Sequence, residues 1–137
     1  MSDIPLDRFD DNSKRLVPFD SLVGKVITAI ETNDSEDVLY FYTVCDRLYM
    51  MFHVQDCCET VDIEDVCGEW EDIMYWPVHL AEERKDSGGT DDGDSVTWTF
   101  YEIQTIKGGV TIRWHGRSNG YYSESVSFYE LPRRVIN

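Results

Sequence analysis

The stretch from Val96 to His115 constrains the fold more than any other part of the chain. Val96, Trp98 and Phe100 alternate with Thr97, Thr99 and Tyr101, and Val110, Ile112 and Trp114 alternate with Thr111, Arg113 and His115. Strict period-2 patterning built from β-branched and aromatic residues specifies strands, because successive side chains leave a pleated backbone on opposite sides. Lys107-Gly108-Gly109 between the two runs supplies a tight reversal, and Ser118-Asn119-Gly120 supplies another, with Asn-Gly as a strong hairpin dipeptide. Val126 and Phe128 continue a last strand that Pro132 closes. Hairpin-linked strands exclude a helical bundle and demand an antiparallel sheet.

The first half repeats the theme. Leu22 to Thr32 reads as a strand, followed by the polar turn cluster Asn33-Asp34-Ser35-Glu36-Asp37, then Val38 to Val44, a turn at Cys45-Asp46, and Arg47 to Gln55. Leu48, Met50, Phe52 and Val54 alternate with Tyr49, Met51, His53 and Gln55. Both sets are rather apolar, so both faces are expected to be covered in part. Val78 to Arg84 reads as a further strand, and the glycine-rich acidic run from Asp86 to Asp94 reads as a loop that lacks the spacing of an EF-hand.

Residues 60–76 change period. Ile63, Val66, Cys67, Trp70, Ile73 and Met74 fall on one helical face, Asp62 can cap the start, and Pro77 ends the run. The expectation is therefore an α+β fold: a mainly antiparallel, twisted sheet able to curl into a half-barrel, with one main helix at about 62–75. The helix would pack Val66, Trp70, Ile73 and Met74 onto a core of Leu48, Met50, Phe52, Trp98, Phe100, Ile112, Trp114 and Phe128. Residues 1–20, polar and broken by Pro5 and Pro18, read as an irregular arm, and residues 21–137 as a single domain.

A formal net charge of −15 bears on partners. Such a surface repels nucleic-acid phosphates and anionic lipid, and it attracts basic proteins and cations. The N-terminus carries no basic and apolar leader pattern, no apolar run has transmembrane length, and the four cysteines therefore point to reduced thiols in a cytoplasmic setting.

The densest chemistry lies between His53 and Asp65, where a histidine, adjacent Cys57 and Cys58, and the acids Asp56, Glu59, Asp62, Glu64 and Asp65 fall together. His53, Cys57, Cys58 and Cys67 are the types that bind zinc, although no paired Cys-x2-Cys knuckle accompanies them, and buried structural thiols are the competing reading. A nucleophilic Cys57 or Cys58 would need a base from His53, His79 or His115, and the surrounding acids disfavour a thiolate. No catalytic residue and no cofactor is assigned, and the chain reads as a non-enzyme. Glu64, Asp65, Glu69, Glu71 and Asp72 form the candidate partner-binding face, able to imitate DNA phosphates in the basic groove of a protein; self-association stays open. His115, flanked by Arg113 and Arg117, reads as the outward face of a hairpin.

Leu22-Val23-Gly24-Lys25, the run from Met51 through the His53-Val54-Gln55-Asp56-Cys57-Cys58-Glu59 core to Gly68, Thr97-Trp98-Thr99-Phe100-Tyr101, and Gly120-Tyr121-Tyr122-Ser123-Glu124-Ser125-Val126 together resemble a family of small proteins of unknown function carried by bacteriophages and prophages. The resemblance spans about residues 20 to 130 and departs in the 1–20 arm, Trp70 and Trp76. It brings no assigned activity. It implies a phage accessory protein acting in the host cytoplasm, where small acidic proteins blunt host defence, so the expected function is inhibition of a host nuclease or CRISPR-type complex.

Overall fold

The alternating segments become nine antiparallel strands among the described residues: β1 (Arg15–Leu16), β2 (Ile27–Thr32), β3 (Val38–Thr43), β4 (Arg47–Phe52), β5 (Thr60–Cys67), β6 (Leu80–Gly89), β7 (Ser95–Thr105), β8 (Gly108–Ser118) and β9 (Ser127–Pro132). The computed structural model describes residues 15–33, 38–44, 47–53, 59–89, 94–118 and 126–132. The strands form a five-stranded sheet in the order β1-β9-β4-β3-β2 and a four-stranded sheet in the order β5-β8-β7-β6. One core runs between them: Leu39, Phe41, Tyr49, Met51 and Phe128 from the first sheet meet Val61, Tyr101, Ile103, Val110, Ile112 and Trp114 from the second. The Trp114 indole N–H donates to Met51 Sδ at 3.0 Å and ties the two layers together. Two packed antiparallel layers, rather than one curled sheet, bury the apolar face of each.

The expected α+β class is overturned, because no α-helix occurs among the described residues. The segment assigned to a helix at 62–75 is instead strand β5, a break at Gly68, and a single 3-10 turn at Trp70–Ile73. A β-bulge explains the misleading spacing. Ile63 pairs with Trp114 and Asp65 with Arg113, so Glu64 is an extra residue in the ladder. An inserted residue turns the strand spacing of two into three, and Ile63 to Val66 then imitates a helical step. Gly68 follows with φ +113, a backbone region that favours glycine, and a Cβ there would stand 2.6 Å from the Gly109 carbonyl oxygen. The chain next drops Ile73 into the core, where it is fully buried.

The expected core also changes faces. Ile112, Trp114, Phe128 and Ile73 are core residues as expected, and Val66, Trp70 and Met74 pack partly buried against that core. Trp98 and Phe100 do not point inward: Thr99, Tyr101, Ile103 and Thr105 occupy the buried side of β7. On β4, Tyr49 and Met51 enter the shared core, whereas Leu48, Met50 and Phe52 join Tyr42 and Leu131 in a second cluster. Tyrosine wins these inner positions because its hydroxyl is satisfied there. Tyr49 donates to Glu130 Oε2 at 3.0 Å and Tyr101 donates to Glu83 Oε2 at 2.6 Å. A buried hydroxyl with a charged acceptor removes the penalty that would otherwise favour Leu or Phe. The second apolar set on β3 and β4 agrees with the expectation that both faces of that sheet are covered.

Two boundaries differ from expectation. Arg15–Leu16 pairs with β9 and Phe19 is buried in the core, so these residues of the expected arm are built into the fold; residues 1–14 lie outside the described residues. Strand β6 continues through Asp86-Ser87-Gly88-Gly89, which pair with Trp98, Thr97, Val96 and Ser95, although these residues were expected in a loop. A long cross-strand ladder outweighs their weak strand propensity.

Candidate functional site

The five acids singled out from the sequence lie along β5 and the turn that follows it. β5 is an outer strand, so its far edge faces away from β8. The bulge places Glu64 and Asp65 together opposite Arg113. Arg113 Nε stands 2.7 Å from Glu64 Oε1, and Arg113 Nη2 stands 4.0 Å from Asp65 Oδ2. The first contact is an ion pair without hydrogen-bond alignment, since Arg113 Nε has no hydrogen-bond partner. Glu69 and Glu71 are exposed on the turn. Asp72 is half-buried; its carbonyl accepts the Thr105 hydroxyl, and its side chain stands beside Gly108 at the tip of the β7–β8 hairpin. The acids therefore form a rim that runs from the β5 bulge to the turn beside the β7–β8 hairpin tip, rather than a helix face. Among the described residues Arg113 is their one ion-pair partner, and it reaches only Glu64 and Asp65.

Sequence reasoning missed two aromatic residues on the same run. Tyr75 and Trp76 are exposed, directly after the turn that carries Glu71 and Asp72. Tyr75 holds φ 70, a region that non-glycine residues rarely adopt. Its N–H donates to the Ile27 carbonyl at 2.8 Å, and the isolated bridge between Val26 and Pro77 follows at once. The segment thus crosses from one sheet to the other at this end of the molecule and holds both rings outward. Only a pinned backbone keeps a bulky residue in this conformation, and such positions cluster at working surfaces. Trp76, a departure from the family resemblance, is one of these two rings; the cue in the sequence is two adjacent aromatics before a proline.

The His53 block divides. His53 Nε2 lies 3.0 Å from Glu59 Oε2, with both side chains nearly fully buried. The pair joins the residue that follows β4 to the residue that precedes β5. Cys57 and Cys58 themselves lie outside the described residues. Cys67 is an exposed free thiol whose Sγ lies 3.5 Å from Asp65 Oδ2. Cys67 pairs with Thr111 at one end of β5, whereas Thr60, next to Glu59, pairs with Arg117 at the other. At roughly 3.3 Å per residue, these ends are on the order of 20 Å apart, far beyond a shared zinc shell. Among the described residues, no three potential ligands gather around one point.

His115 lies on the outward face of its hairpin, with its ring 5.8 Å from that of Trp98, and Arg84 stands over the Phe100 ring at 4.9 Å. These aromatic pairs occupy the face to which Trp98 and Phe100 turned. Among the described residues, no helix is long and apolar enough to cross a membrane. No curated protein and no solved structure matches the chain. The family described as Domain of unknown function (DUF7448) matches residues 20–128, which hold β2 to β8, the acidic rim and the His53–Glu59 pair, and the chain belongs to that family.

Proposed function

We propose that this protein is a non-enzymatic binder that seats its acidic rim in the basic groove of a protein partner. The observation that carries the reading is the run of five carboxylates from the β5 bulge through the turn after it, of which only Glu64 and Asp65 have an ion-pair partner among the described residues, beside the outward rings of Tyr75 and Trp76. Rim charges speed encounter and select a basic partner, while exposed aromatics supply anchoring area. The net charge of −15 strengthens the long-range attraction. The resemblance to phage and prophage proteins makes a host defence nuclease or CRISPR-type complex the partner class, with the rim standing in for the phosphates of its DNA.

The test uses a nuclease with a basic DNA groove and a duplex substrate. The protein should slow cleavage in a manner that competing duplex DNA relieves. Replacing Glu64, Glu69 and Glu71 by Gln and Asp65 and Asp72 by Asn should raise the concentration needed by at least about tenfold, and Trp76→Ala should raise it by a similar factor. Circular dichroism should show both variants folded. Inhibition that survives removal of the five charges, or none by the parent protein, rejects the reading.

A further inference from the structure

A second site, separate from the rim, lies at the side of the molecule between the outer strands β1 and β6. It is an open cleft of about 750 Å³ between the Phe19–Leu22 turn, the start of β6 and the start of β9. Its floor is apolar: Phe19, Ala81 and Phe128 contribute, and the Phe19 ring lies 4.6 Å from Tyr101 and 5.1 Å from Phe128. Three acidic residues line it, Asp20, Glu82 and Glu83, and no Lys or Arg does among the described residues. Asp20 and Glu82 are exposed and have no ion-pair partner among the described residues. Glu83 is held in place, because its Oε2 accepts the buried Tyr101 hydroxyl at 2.6 Å.

We propose that this cleft binds an arginine side chain presented by a protein partner. An aliphatic stem fits the Phe19–Ala81–Phe128 floor, and a planar guanidinium fits carboxylates in forked pairs and lies flat on aromatic rings. A lining with three acidic residues and no base selects a cation, and the volume falls in the range of specific sites. A fixed acceptor at Glu83 reduces the ordering that binding requires. The cleft opens beside the outer strands of both sheets, where a partner's chain reaches it without displacing either layer. This inference does not depend on the rim.

A capped pentapeptide with a central arginine, and the same peptide with citrulline, serve as probes for amide-resolved NMR titration of the full chain. The arginine peptide should give saturable shifts at residues 19–20, 81–83 and 126–128. Citrulline, equal in shape but uncharged, should bind at least about tenfold more weakly, a difference of about 1.4 kcal/mol. The double variant Asp20→Asn, Glu82→Gln should weaken the arginine peptide by a similar factor and leave citrulline unchanged; Glu83 is left intact because it supports Tyr101. Replacing the five rim acids should leave cleft binding unaltered, which separates this result from the nuclease test. Equal binding of the two peptides, shifts confined to the rim, or no saturable shift overturns the proposal. If the double variant does not fold, the two peptides on the parent chain decide alone.

Discussion

Tyr101 shows how a single residue governs this core. It is fully buried, Phe19 covers its ring, and its hydroxyl reaches Glu83. Burial disfavours the phenolate first, and the hydrogen bond to Glu83 and the charge of that carboxylate add to the effect, so its ionisation moves well above the ordinary value of 10.0. The sign of the linkage follows. The folded state keeps its proton at a pH where the unfolded chain has lost it, so the stability from Tyr101 is complete below about pH 10 and declines as pH rises beyond that. Urea unfolding from about pH 8 to about pH 11 should show a loss approaching 1.4 kcal/mol per pH unit at the upper end. Tyr101→Phe should lose about 1 kcal/mol at neutral pH through the missing hydrogen bond and should show a shallower alkaline decline. Equal alkaline slopes for the two proteins would refute this account. The residue scale is also where the sequence misleads most: alternation on β7 sorts its residues into two faces correctly, but hydropathy ranks Trp98 and Phe100 above Thr99 and Tyr101. The acid that reverses the ranking, Glu83, stands on another strand and is invisible to a local pattern.

At the scale of elements, the β7–β8 hairpin was legible because its turn residues and its period agree. β5 was not legible, because a bulge at Glu64, a break at Gly68 and a 3-10 turn summed to a helical period. The five rim acids are legible as a group in the chain, but the meeting of Glu64 and Asp65 with Arg113 depends on that bulge. The two glycines that end local elements give a test of the geometry. Gly24 has φ +87 with nothing within 4 Å of an added Cβ, whereas Gly68 has φ +113 and the Gly109 carbonyl oxygen at 2.6 Å. Gly24→Ala should therefore cost only the backbone term, about 1–2 kcal/mol. Gly68→Ala adds a collision with β8 backbone that no rotamer change relieves, so it should cost more, about 3 kcal/mol, by pushing β5 from its partner. Chemical denaturation of both variants measures the difference, and equal losses would mean that the approach of Gly68 to β8 is not a constraint.

At the scale of the whole molecule, two sheets share one core while the charge lies on their edges and outer surfaces. The Trp70–Ile73 turn and the segment through Pro77 leave the second sheet, place Ile73 in the core, bind Ile27 through Tyr75, and bridge to Val26. Separating the sheets would expose the shared core face of each, so they should unfold together. Far-ultraviolet circular dichroism, which reports strands, and near-ultraviolet dichroism, which reports aromatic packing, should give coincident denaturation curves. Trp114 sharpens the test because it is fully buried and reaches Met51 across the interface. Trp114→Ala should remove about 3–5 kcal/mol and shift both curves equally. Leu48→Ala, in the second cluster of the five-stranded sheet, should cost about 2–5 kcal/mol and likewise move both probes together, since that sheet is half of the shared core. Two separated transitions in either variant would mean that the sheets are independent units, and the rim and cleft would then no longer be fixed with respect to a common frame.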